Sequence, residues 1–287
     1  MLVASGPLLS AQEPALVRYL EDREEREQRN DYFVDLLRLA LTKTEAEFGP
    51  FRLQPVYKKV PQGRLLRMLS ADETVDVLWS MTSRSREEHL RPVRIPLGRG
   101  FIGYRLLVIR SEDREEFAAI ESIEQLAEKV AGQGSSWPDT TILRHNGLPV
   151  TTSGYESLFT MLRHGRVDYI PRALNEPWAE LALRPELGLV VEPTLVLHYP
   201  AANYFFVGRH NQALAQRLKR GLELALADGS FEQLFFNHPS HQVMFSKGRF
   251  DQRKVLSLEN PLLPDSVPLQ REALWWKPKT MTESESQ

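Results

Sequence analysis

The chain has 287 residues, with 36 Lys and Arg against 38 Asp and Glu for a formal net charge of -2, and no cysteine. Near-neutrality leaves no global field to draw the molecule onto nucleic acid or an anionic membrane, so partner recognition has to be local. Without a thiol, disulfides, thiolate nucleophiles and cysteine-bearing zinc sites are excluded, and the length suits one large core or two modest ones.

The opening MLVASGPLLSAQEP has the small and apolar character of the end of a secretory signal, closing at Ser10-Ala11. The expectation is export to the periplasm, with the basic start of the signal truncated or misplaced relative to Met1. No later stretch holds the ~20 apolar residues that span a bilayer. ALVRYL (15–20) predicts a strand, and the charged run EDREEREQR a solvated loop or short helix. Asn30 or Asp31 can cap a helix in which Phe33, Leu36, Leu37, Ala40 and Leu41 recur at helical spacing, stopped by Gly49-Pro50. FRLQPVYKKV reads as a strand, QGRLLRMLSAD as a short helix and TVDVLWSM as an apolar strand, an order of β-α-β-α-β.

A glycine-broken segment then leads into the strand YRLLVI, and the charges after it mark a boundary near Arg110 to Glu116. SIEQLAEKV predicts a helix, AGQGSSWPDT a turn-rich loop, and TILRHNG a helix closed by Asn146-Gly147, which suits a left-handed cap. PVTTS is a short strand, YESLFTMLRHG an amphipathic helix and VDYIPR a strand, which together make a second, smaller α/β unit. VVEPTLVLHYPAANYFFVGR returns as two extended segments, and NQALAQRLKRGLELALADGSFEQLFFNH as two helices broken at Gly229. The Pro-rich remainder predicts an ordered arm with a disordered end.

Catalytic signatures are missing: there is no G-x-S-x-G elbow, H-E-x-x-H helix or G-x-x-x-x-G-K-S/T loop. GRGFIG (98–103) lacks the strand-turn-helix context of a nucleotide fingerprint. His238 and His241 are separated by Pro-Ser, which is not helical ligand spacing, so no metal and no cofactor are expected.

Four stretches, in order, resemble the periplasmic solute-binding proteins of the amino-acid-binding type, family 3. They are VDVLWSMTSRSREE, with Ser83 and Arg86 at the Ser/Thr-x-x-Arg-Glu turn; AGQGSSWPDT, with Gly134, Ser135 and Ser136; YESLFTMLRHGRVDYIPR; and NQALAQRLKRGLELALADGSFEQLF. The resemblance covers roughly residues 15–238, and each motif alone is weak. It implies an α/β, two-lobed, type 2 periplasmic-binding-protein-like fold with two crossing hinge segments. Lobe 1 is then expected at 15–110 and 195–245, lobe 2 at 111–194, and a C-terminal extension at 246–287.

The function so implied is capture of a small solute between closing lobes, for an ABC-type importer or a sensor. The expected protein is a monomer, does not span a membrane and binds no nucleic acid; an enzyme on the same scaffold, using acidic residues such as Asp139 and Glu176, is the alternative. Family members of this type carry an acidic residue just after the Gly-Arg-Val-Asp strand, where this chain has Arg172 and Ala173, so an anionic solute is expected, although Glu176 stands nearby. Arg86 can grip a carboxylate or pair with Glu87 or Glu88, and Arg84 rivals it from two residues away. Arg172 clamps solute or makes an interdomain ion pair. Ser135 and Ser136 bind an anion at a helix start or cap that helix. Trp137 walls the site or packs its loop, Trp79 is core or platform, and Tyr32 rims the cleft or staples its helix.

Overall fold

A computed structural model describes residues 13–21, 31–57, 62–71 and 74–278. The signal-like segment, most of the charged run after β1 and the end from residue 279 lie outside the described residues. Twelve strands are found among those described: β1 Ala15–Glu21, β2 Phe51–Tyr57, β3 Val77–Met81, β4 Leu90–Val93, β5 Tyr104–Arg110, β6 Ala131–Gly134, β7 Val150–Ser153, β8 Ile170–Ala173, β9 Leu189–Val191, β10 Leu195–His198, β11 Asn203–Gly208 and β12 Lys254–Ser257.

The first sheet has the order β2-β1-β3-β11-β4. β1 runs parallel to β2 and β3, whereas β11 is antiparallel to both β3 and β4. Its main cover is the helix Asp31–Thr42, which buries Tyr32, Phe33, Leu36, Leu37, Ala40 and Leu41, the stripe that the 3.6-residue spacing picks out. The long helix Gln212–Ala227 lies directly against it, because a Cβ on Gly221 would collide with the Ala40 carbonyl. Glycine is therefore required at that crossing. Gly229, with φ of 78°, breaks the chain between this helix and Ser230–Asn237 as expected.

The second sheet has the order β12-β10-β5-β8, with β9 also on β5, and the parallel pair β6-β7 joins through an Ala131–Tyr169 bridge. The expected lobe boundary is corrected here. β5, assigned by sequence to the first lobe, pairs with β8, β9 and β10, so the chain changes sheets between 94 and 103 rather than at Arg110 to Glu116. β10, also assigned to the first lobe, is in the second sheet, and the return falls between 199 and 202. The physical reason is that the interior of β5, from Arg105 to Ile109, is buried throughout. Such a run announces a central strand without saying of which sheet.

Other differences are local. AGQG forms strand β6 rather than loop, LRPV forms an edge strand in spite of Pro92, and the helices Pro177–Ala182 and Pro239–Lys247 were not expected. The helix expected over 122–130 shrinks to Ile123–Leu126. The C-terminal arm is ordered through Pro278, and β12 adds to the second sheet beside β10 in parallel register.

Candidate functional site

Two helix starts, one from each lobe, carry Ser83 and Arg86 on one side and Ser135, Ser136, Trp137 and Asp139 on the other. In the first lobe β3 ends at Met81, and Ser83 caps the helix Arg84–His89 by accepting the Arg86 amide at 3.2 Å. The Arg86 guanidinium folds back, donating to Ser80 Oγ at 2.7 Å and to the Met81 carbonyl. Burial lowers its pKa to about 10, and the field of Asp139 on the facing lobe partly offsets this. Arg84 turns away, donating to the Pro261 carbonyl at 2.6 Å and pairing with Asp265, so Arg86 is the inward arginine of the two.

In the second lobe β6 ends at Gly134, whose carbonyl accepts from the Trp137 amide and from Thr140 Oγ1, both at 3.0 Å. The exposed Ser135 and Ser136 occupy that turn, and the helix Pro138–His145 follows. Ser136 faces the other lobe: a Cβ on Gly63, in the helix Gln62–Ser70, would lie 3.8 Å from its own Cβ.

Asp139 is 6% exposed and pairs with Arg105 Nη2 at 2.7 Å. Tyr199 accepts from Arg105 Nε at 2.8 Å and donates its hydroxyl proton to Asp139. Burial opposes the charge on Arg105, but Asp139, Tyr199 and Glu176 outweigh it and raise the pKa. Arg172 on β8 is also sealed. Its Nε donates to Glu180 Oε2 at 2.8 Å, its Nη2 lies 3.1 Å from Glu176, and its guanidinium stacks 4.9 Å from the Trp137 ring. Burial again opposes its charge, and the two carboxylates overcome it. Tyr155 completes the group by donating to Glu180 at 2.9 Å.

The ionic groups thus alternate as Arg86, Asp139, Arg105, Glu176, Arg172 and Glu180, and their formal charges sum to zero. Several expectations change accordingly. Arg172 is not a free anion clamp, since two carboxylates already hold it, and Trp137 walls Arg172. Asp139 and Glu176, offered as acid-base residues, are each engaged by an arginine, and Glu176 also accepts the Ala173 amide at 2.8 Å. Tyr32 does not rim a cleft: it is fully buried, donates to the Leu97 carbonyl at 2.6 Å and packs 4.2 Å from the His241 ring. Trp79, partly buried, stacks on Phe33 at 5.7 Å on the core side of the sheet.

Sequence reasoning missed Arg105, Glu180, Tyr199 and Tyr155. Arg105 carries a usable signal, because one arginine inside the apolar run YRLLVI demands a buried partner. Among the described residues no cluster of His, Asp and Glu is suited to hold a metal. A groove of about 600 Å³ between Tyr19, Arg38, Phe51 and Arg52 shares none of these groups.

No family model matches the chain, and no curated protein matches it. Solved structures do. An ancestral arginine-binding protein bound to glutamine aligns with a TM-score of 0.58 at 14% identity, over 80% of this chain and 100% of that one. The VFT2 domain of BvgS from Bordetella pertussis gives 0.57 at 15% identity, over 77% and 92%. A putative L-cystine ABC transporter protein from Listeria monocytogenes gives 0.52 at 15%, over 77% and 94%. The chain has the two-lobed type 2 periplasmic-binding fold. At such identities the likeness establishes architecture, and function has to be argued from the site. Among the described residues no helix is long and apolar enough to cross a membrane.

Proposed function

We propose that the chain captures a small polar solute between its lobes and hands it on unchanged to a membrane importer or sensor. The observation that carries this reading is the buried Arg86 behind the helix start of one lobe, held on Ser80 Oγ at 2.7 Å and within the field of Asp139 at the helix start of the other. A solute carboxylate entering there pairs with Arg86, with the exposed Ser135 and Ser136 hydroxyls as further donors.

Glu176, half-buried beside Arg172, is the acidic group at this end that a cationic part of a solute can approach. A solute with both signs therefore fits better than a purely anionic one, in line with glutamine bound in the ancestral arginine-binding protein. The experiment is calorimetric titration with candidate zwitterionic solutes found by a thermal-shift screen. A charge-assisted bond contributes about 1.5 to 3 kcal/mol, so Arg86→Ala should weaken binding by about one to two decades. Arg86→Lys should recover only part, since it keeps the charge and loses the planar fork. Native affinity in folded Arg86→Ala protein would remove Arg86 from the site.

A further inference from the structure

The C-terminal extension is bonded to both lobes and to both crossing segments. It begins by bolting onto the second lobe: Arg253 Nη1 donates to the Glu192 and Leu195 carbonyls, and β12 pairs with β10. At the return crossing, Leu258 donates its amide to the His198 carbonyl at 2.7 Å and Asn260 its side chain to the Pro200 carbonyl at 2.8 Å. Asn146, at the end of the helix that carries Asp139, exchanges two hydrogen bonds with the Glu259 backbone, at 2.8 and 2.9 Å.

Within three residues the chain has passed to the first lobe. Arg84, on the helix that carries Arg86, donates its amide to the Leu262 carbonyl at 3.1 Å and its guanidinium to the Pro261 carbonyl. Arg271 then makes a two-pronged bond to Glu223 on the long helix, at 2.8 and 2.7 Å. The arm ends on the outward crossing. Trp276 donates its amide to the Arg99 carbonyl at 2.7 Å, Arg99 donates back to the Ala273 carbonyl, and the Trp276 ring lies 6.4 Å from Tyr104 at the start of β5. Tyr104 itself stacks on His198 of the return crossing at 4.2 Å.

We infer that residues 258–276 are a staple that holds the two lobes closed, fastening both crossing segments to each other and the Arg86 helix to the Asp139 helix. Hinge motion in two-lobed proteins is absorbed by a few residues at the crossings, and here those residues have the arm bonded to their carbonyls. Opening requires that the Asn146–Glu259 and Arg84–Pro261 contacts separate, since they lie on opposite lobes and only Asn260 intervenes. The staple therefore keeps the closed arrangement as the resting state and makes release of the arm a condition for solute exchange. That last step rests on the solute-binding reading, whereas the mechanical claim does not.

The test uses the full chain, whose lack of cysteine allows two labels to be placed cleanly. Spin labels at Gln54→Cys on the first lobe and Thr141→Cys on the second, both exposed, report the distance between lobes without any solute. The unaltered arm should give one narrow distribution. Arg84→Ala with Asn146→Ala, which removes side chains outside the apolar cores, should add a longer population. Asn260→Ala should do so more weakly, and it serves as the reading if the double variant proves unfolded by circular dichroism. A wild-type distribution already split between short and long distances, or folded variants with the wild-type distribution, would overturn the staple. Failure of the chain to bind any solute would leave this reading intact and remove only the solute-binding proposal.

Discussion

Buried ionic groups set the character of this protein at the residue scale. Arg172, Glu180, Arg105 and Asp139 are each below 7% exposed, and each is tolerable only because its neighbour is in place. Glu180→Ala strands Arg172 with Glu176 alone and should cost about 3 kcal/mol, seen as a lowered midpoint in denaturant unfolding. An unchanged midpoint would mean that Arg172 reaches water. His241 makes the second prediction. It is sealed against Tyr32 and Phe235 with Nδ1 on the Phe235 carbonyl, and burial lowers its pKa from 6.5 to about 4. Between those values the unfolded chain binds more protons than the folded one, so stability should fall as pH drops from 6.5 towards 4, by at most about 3 kcal/mol from this group. His241→Gln should flatten that slope. Of the ten site residues chosen by sequence, Ser83 and Arg86 stood on a motif resemblance, and the structure places them at a strand end and a helix cap. Tyr32 and Trp79 were left between core and cleft, because an aromatic side chain reads alike in both until its neighbours are known.

Elements were legible where periodicity was strong. The Asp31–Thr42 stripe and the long helix Gln212–Ala227 follow from helical spacing and the Gly229 break, and both are present. Their contact yields a test: Gly221→Ala forces a methyl group into the Ala40 backbone and should destabilise by about 1 to 3 kcal/mol, since cores resist added volume. Little change would mean that the helices slide apart freely. The elements that escaped were short and locally ambiguous. β6 is AGQG, whose glycines argue for a turn and whose strand state depends on pairing with β7 and on the bridge to Tyr169. β5 was recognised as a strand and given to the wrong lobe, because membership of a sheet is a tertiary fact that no local pattern encodes. β12 was missed for the same reason.

For the whole molecule, the two-lobed architecture was readable from the order of four weak motifs; an ordered arm was expected too, but where it docks was not, since its contacts lie almost entirely with residues distant in sequence. Loosening the arm should change how the molecule answers a solute: scattering should show compaction on binding in Arg84→Ala with Asn146→Ala, and little in the wild type. Solute capture requires a solute held between Arg86 and the second lobe. Native mass spectrometry of gently purified protein tests that most directly. A small-molecule adduct should be recovered chemically unchanged after long incubation and should be lost from folded Arg86→Ala protein. An adduct that Arg86→Ala retains in full, or one converted to a new product, would contradict it.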